Sequence, residues 1–231
     1  MVRLEVTREA RGVTRLGNAA LRRLGGGCAL AFLVLTALVW GGWPPLVSFD
    51  QRWSTRAYAF TVSHDWCLTL SRAATALGDA VTVTTLTVVV CLALLVGRRR
   101  VMAVWLAVTV AGSALLNTLV KVSLERTRPP SAEQLTSAHG FSFPSGHTQA
   151  ATVFYAALVV VVGWRVFHPT QRWARLTAAA AVVVAVAVGA SRVLLGAHWP
   201  SDVLGGWLLG CAWIAVATLV LRRRTTSEAD S

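Results

Sequence analysis

Six runs of about twenty apolar residues, each closed by a basic residue, glycine or proline, constrain this 231-residue chain more than any other feature. They fall near 28–46, 80–96, 101–120, 145–164, 176–195 and 200–221. A helix rises about 1.5 Å per residue, so ~20 residues cover a ~30 Å hydrocarbon layer. Val and Thr are frequent in several runs. In lipid, however, only a helix satisfies its own backbone unless strands close into a barrel. The expectation is an all-α polytopic membrane protein, a bundle of six transmembrane helices. Residues 48–78 are mixed, with Trp53, Trp66, Arg52, Arg56, Arg72, His64 and Asp65, and fit short amphipathic helices lying along the extracytoplasmic membrane surface. The organisation expected is a basic cytoplasmic segment at 1–27, a six-span membrane domain at 28–222 and a polar cytoplasmic tail at 223–231. The basic lead resembles the start of a signal peptide, but no small-residue cleavage site follows, so the first run is expected to be retained as a span.

The formal charge of +12 is compatible with nucleic acid, anionic lipid or membrane topology as its cause. Its distribution decides for topology and against nucleic acid. Lys121 is the sole lysine among 22 basic residues, and most of the arginines sit in short clusters between apolar runs. With six spans and the N-terminus inside, 15 basic residues fall on the inner side and seven on the outer. The positive-inside rule then places both termini in the cytoplasm of a cell-membrane protein. Cys28, Cys91 and Cys211 lie in apolar runs without metal-ligand spacing and read as small packing residues; no disulfide framework is implied.

Under this topology three polar clusters share the outer side. The stretch Ser191–Asp202 leaves Arg192, His198 and Asp202 beside membrane-grade sequence, where they need partners or a task. Pro200 suits the first position of the last helix, which puts Asp202 in its first turn and His198 about one turn ahead. A carboxylate at that spacing can hold one imidazole nitrogen and leave the other free. Lys121 and Arg128 bring an ammonium and a guanidinium, complementary contacts for phosphate oxygens. Arg126 falls outside this spacing and is set aside, with Glu125 as its expected surface partner. The third cluster is Pro144-Ser145-Gly146-His147 at the head of the fourth run. Ser145 is a natural N-cap, Gly146 lets a ligand approach the backbone, and free amides at a helix start attract anions. His147 could move a proton there. His139, His64 and Asp65 read as solvated or interfacial, and Trp199 and Trp207 as belt or packing residues.

Taken in order, Lys-x6-Arg-Pro, Pro-Ser-Gly-His and Ser-Arg-x5-His-x3-Asp resemble the motifs of the type 2 phosphatidic acid phosphatase family, membrane lipid phosphatases related to bacterial acid phosphatases and vanadium haloperoxidases. The resemblance covers residues 50–222. It implies a hydrolase without metal or other cofactor, acting on a lipid phosphate at the extracytoplasmic face. It implies His198 as nucleophile forming a phosphohistidine, Asp202 as its orienter and His147 as the proton donor. Lys121, Arg128, Ser145, Gly146 and Arg192 would bind the phosphoryl group. Undecaprenyl pyrophosphate is the preferred substrate; phosphatidate or phosphatidylglycerol phosphate, and phosphotransfer to another acceptor, are the alternatives.

Overall fold

A computed structural model describes residues 17–130, 132, 134–163 and 171–227. The expected basic lead before residue 17, Arg165, His168 and the last four residues lie outside the described residues. Among those described there are eight helices and no strand: α1 (Asn18–Trp40), α2 (Pro44–Val62), α3 (Asp65–Ala76), α4 (Ala80–Val96), α5 (Arg100–Leu124), α6 (Gly146–Val161), α7 (Gln171–Leu194) and α8 (Pro200–Ser227). The chain is a multi-pass membrane protein. α1, α5, α7 and α8 are each long and apolar enough to cross a bilayer, and α3 with α4, bent by 43°, makes a fifth candidate. α6, at 16 residues, is apolar but shorter.

Each expected apolar run is a helix, but boundaries moved. α1 starts at Asn18, so Arg22 and Arg23 are helical and the helix begins inside the segment assigned to a basic lead. It stops at Gly41-Gly42, where Gly42 has φ +60, and Leu46 therefore belongs to α2. α8 continues to Ser227, through the arginines expected to close it. Arg222 within it donates to Asn18 Oδ1 at 2.9 Å, tying the two chain ends together.

The mixed segment forms α2, of 19 residues, and α3, of 12, the latter joined to α4 as a bent candidate span. α2 exposes Phe49, Trp53 and Phe60 and buries Asp50, Ser54 and Thr61, the reverse of a water-facing helix. Aromatic rings of this kind suit the membrane–water boundary. Its buried polar face has partners described below.

The bundle is held by close approach and by polar staples, since lipid supplies no hydrophobic drive between helices. α6 lies against α5, α7 and α8, and Ala151, Val153, Phe154 and Ala157 on it are almost fully buried. Gly206 and Gly210, one turn apart on α8, let it press on α6: a Cβ at Gly206 would stand 2.8 Å from Ser145 O, and one at Gly210 2.9 Å from Thr152 Cβ. Gln149 of α6 accepts from Asn117 Nδ2 (2.7 Å) and donates to the Ser113 hydroxyl (2.9 Å), both on α5. Trp207 is a packing residue as expected, its indole donating to Ala185 O of α7. Trp105 and Trp213 join α5 to α8 in the same way.

Candidate active site

The polar clusters meet at one end of the bundle, where α5 ends, α6 begins, α7 ends and α8 begins. Loop 125–145 leaves α5 through Glu125, whose φ of +47 turns the chain sharply. It is pinned at three points: Ser142 N donates to Arg126 O, Leu135 N to Leu195 O, and Ser145 N to Asp202 O. The last bond, at 2.9 Å, brings the Pro-Ser-Gly-His stretch against the first turn of α8. α8 starts at Pro200 and carries Asp202 in its first turn, as the proline predicts.

His198 is 2% exposed and stands between two charged groups. Its Nδ1 lies 3.3 Å from Asp202 Oδ2, and its Nε2 lies 3.2 Å from Arg128 Nη1. Asp202 is acceptor-only, so Nδ1 carries the proton, and Nε2 presents a lone pair toward the guanidinium. Burial holds the imidazole far below its usual range, at about 3; Asp202 opposes this, while Arg128 and Lys121 add to it. The ring is therefore neutral at physiological pH.

The cations are arranged by backbone carbonyls. Arg128 donates to Ala197 O (2.7 Å), Gly140 O (2.9 Å) and His139 O (2.9 Å), so its guanidinium is held between residues 139–140 and the stretch before α8. Lys121 Nζ donates to Phe141 O at 2.7 Å. Arg192 reaches α3, where its Nη1 donates to Thr75 Oγ1 at 2.7 Å, while its Nε is buried without an acceptor. A buried unpartnered donor is costly and favours any anion that can reach it. Arg128 thus stands against His198, and Lys121 lies beside Gly146, next to His147.

Gly146 sits beside Lys121, with room for a Cβ only at 3.3 Å from Asn117 Oδ1. Ser145 occupies the N-cap position of α6, but its hydroxyl makes no capping bond; it accepts from Thr148 Oγ1 at 3.0 Å instead. The expected capping role is thus not realised, because Thr148 in the first turn offers a better-placed donor. His147 Nε2 is 3.6 Å from Asp79 Oδ1, and the other oxygen of Asp79 caps α4 by accepting from Val81 N. His147 therefore has a carboxylate neighbour too, which sequence spacing could not reveal because Asp79 comes from the α3–α4 break.

The largest departure concerns Arg126. Instead of pairing with Glu125 at the surface, it turns inward and bridges two buried carboxylates. Nη1 donates to Asp202 Oδ1 (2.6 Å) and Nη2 to Asp50 Oδ2 (2.7 Å). Asp50, on the inner face of α2, went unnoticed among the aromatic and basic residues around it. The available signal was scarcity: the whole chain has ten acidic residues, and one beside membrane-grade sequence requires a partner. Trp199 closes the outer edge, its indole donating to Thr127 O. Among the described residues no three His, Cys, Asp or Glu side chains group as a metal site would.

Two histidines, a buried carboxylate and basic side chains at one end of a helical membrane bundle suit a site for an anionic phosphate group. The sequence profile of the PAP2 superfamily matches residues 102–226, and the chain belongs to that family. A phosphatidylglycerophosphatase B of Bacillus subtilis is 42% identical over 98 residues, covering 42% of this chain and 46% of the relative. A lipid A 1-phosphatase of Rhizobium johnstonii is 33% identical over 129 residues, 52% of this chain and 48% of its own length. An undecaprenyl-diphosphatase of Sulfolobus acidocaldarius is 29% identical over 132 residues, 55% of this chain and 58% of its own. The chain thus matches about half the length of these curated relatives, all named as lipid phosphatases and so hydrolases. A crystal structure of a transmembrane PAP2-type phosphatidylglycerolphosphate phosphatase from Bacillus subtilis superposes with a TM-score of 0.80 at 27% identity, covering 87% of this chain and 96% of that one.

Proposed function

We propose that this protein hydrolyses the phosphomonoester or pyrophosphate of a membrane lipid through a phosphohistidine on His198. The observation that carries the reading is the neutral imidazole of His198, held by Asp202 at Nδ1 with its free Nε2 facing Arg128. His198 Nε2 attacks phosphorus in line; an N–P bond forms and the P–O bond to the lipid breaks. His147 gives its proton to the departing oxygen. Asp202 holds the Nδ1 proton in place and offsets the positive charge that develops on the ring. Water then attacks phosphorus, His147 takes a proton from it, the N–P bond breaks and phosphate leaves. Lys121, Arg128, Arg192, the Ser145 hydroxyl and the Gly146 amide bind the phosphoryl oxygens. The buried Arg192 Nε gains an acceptor when they do. No step calls for a metal or other cofactor.

A cavity of about 260 Å³ opens beside His147, lined by Val83, Val110, Ala150 and Val153 among others. Its apolar walls favour a lipid over a soluble phosphate ester. Phosphatidylglycerol phosphate is the first substrate to test, since the relatives with the higher identities carry that name; undecaprenyl pyrophosphate rests on one relative at 29%. In this reading all six apolar helices α1, α4, α5, α6, α7 and α8 cross the membrane, both termini are cytoplasmic and the site faces outward.

The test is phosphate release by purified protein in detergent from phosphatidylglycerol phosphate, undecaprenyl pyrophosphate, lipid A and an aryl phosphate. Quenching during turnover with alkaline detergent should trap an alkali-stable, acid-labile phosphoprotein, which His198→Ala should lack together with all turnover. His198→Ala protein that releases phosphate at the wild-type rate would overturn the mechanism.

A further inference from the structure

We propose that Asp50 and Arg126 are positioning residues for the reaction, acting through Asp202 to hold His198 in its attacking tautomer. The inference rests on His198 as the nucleophile. It assigns a role to a helix, α2, that precedes the region matched by the family profile.

Asp202 is fully buried and both its oxygens are occupied. Oδ2 receives the Ser142 hydroxyl, the Trp199 amide and the His198 imidazole. Oδ1 receives Arg126 Nη1. Arg126 therefore sets the plane of the carboxylate, and with it the direction in which Oδ2 meets Nδ1. Its guanidinium, 2.6 Å away, also compensates the charge of this buried carboxylate. An ionised carboxylate can only accept, and that forces the proton onto Nδ1 and the lone pair onto Nε2. Arg126 would be free to swing on its own flexible stem. Asp50 prevents this by holding Nη2 at 2.7 Å. Asp50 is itself anchored to the same turn of α8, since its Oδ1 accepts Ser201 N at 2.9 Å and its Oδ2 accepts the Ser201 hydroxyl. Ser201 Oγ also accepts from Arg126 Nη1, closing a ring of contacts around the helix start. Asp50 is 1% exposed and Ser201 2%, while the Arg126 side chain is 15% exposed.

A simple tie between α2, the loop and α8 would use the same bonds, so the test must read the imidazole itself. Arg126→Lys, Arg126→Ala and Asp50→Asn are compared with Arg52→Gln, a control on the exposed face of α2. Removing one charged hydrogen bond from the orienting carboxylate should lower kcat about 10- to 100-fold in Arg126→Ala and Asp50→Asn. KM should stay within about two-fold, because neither residue touches the phosphate. Arg126→Lys keeps the charge on Asp202 and should recover much of the loss. Adding Asp202→Asn to Arg126→Ala should cost little more than Asp202→Asn alone, because the clamp acts only through that carboxylate. Nitrogen-15 spectra of histidine-labelled protein should show His198 as a single Nδ1–H tautomer in the wild type and Arg52→Gln. In Asp50→Asn and Arg126→Ala both tautomers should appear. This readout needs no turnover, so it still decides the inference if the protein proves not to be a phosphatase. Unchanged tautomer and unchanged kcat in folded Asp50→Asn would overturn it. So would an Arg126→Ala loss that multiplies fully with Asp202→Asn. If Arg126→Ala fails to fold, Asp50→Asn and Arg126→Lys carry the same spectral and kinetic tests.

Discussion

Replacing Gly206 by alanine should damage the site without touching any of its side chains. Gly206 lies in the second turn of α8, facing the head of α6. An added Cβ would sit 2.8 Å from Ser145 O, 2.9 Å from Thr148 Cβ and 3.2 Å from Gln149 N. Two of these atoms are helix backbone and cannot swing aside. Ordinary contact begins at 3.4 Å, so α6 and α8 must part by about 0.6 Å. Overpacking of this kind costs ~1–3 kcal/mol, while alanine in a helix regains only ~0.5–1 kcal/mol over glycine. The clash therefore wins, and the protein should lose about 1 kcal/mol of stability or somewhat more. The larger effect is kinetic. His147 rides on the first turn of α6 and His198 shortly precedes α8, so parting the helices pulls the two histidines apart. A displacement of 1 Å can cost ~100-fold in rate, so a loss of about 10-fold in kcat is expected. The assay is steady-state phosphate release beside thermal unfolding in the same detergent. Gly27→Ala is the control, because nothing lies within 4 Å of its added Cβ. Wild-type kcat and an unshifted transition in Gly206→Ala would refute the claim that this contact sets the spacing of the two histidines.

Other outcomes follow from the same geometry. His198 has its folded pKa lowered to about 3, so the unfolded chain binds a proton below about pH 6.5 that the fold refuses. The stability contribution is whole above pH 6.5 and falls as pH drops toward 3, by about 2 kcal/mol at pH 5, and His198→Ala should flatten that part of the pH–stability curve. Lys121→Ala, Arg128→Ala and Arg192→Ala should each lower kcat/KM by ~100-fold or more while the protein still folds; a mild effect for any of them would remove it from the phosphate site. His147→Ala should slow lipid phosphate hydrolysis by ~100-fold or more but spare an aryl phosphate, whose leaving oxygen needs little help from a proton. In a background without the native cysteines, Ala132→Cys should react with an impermeant reagent from outside and Arg99→Cys should not. The reverse pattern would place the site in the cytoplasm.

Helix content and the location of the site were legible in the sequence because lipid and water each impose a simple rule. Apolar runs must be helices in a bilayer, so α1, α4, α5, α6, α7 and α8 were all anticipated, with errors confined to their ends. Local chemistry along one segment was legible too: Pro200 starts α8, Asp202 follows within a turn, and His198 meets its carboxylate there. What spacing cannot encode is a partner from a distant segment. Asp79 reaches His147 only because α3 and α4 break beside α6, and Asp50 reaches Arg126 only because α2 lays its polar face on the start of α8. Arg126 shows the difference most sharply. By its position it was one more arginine on a membrane flank, two residues beyond the end of α5. A buried guanidinium needs acceptors, and only the packed structure supplies two carboxylates within 2.7 Å on either side of it. The sequence alone therefore determined that this chain is helical, crosses a membrane and carries the family's motif residues. The tertiary structure decided which further charges hold those residues in place, because that depends on which helices touch.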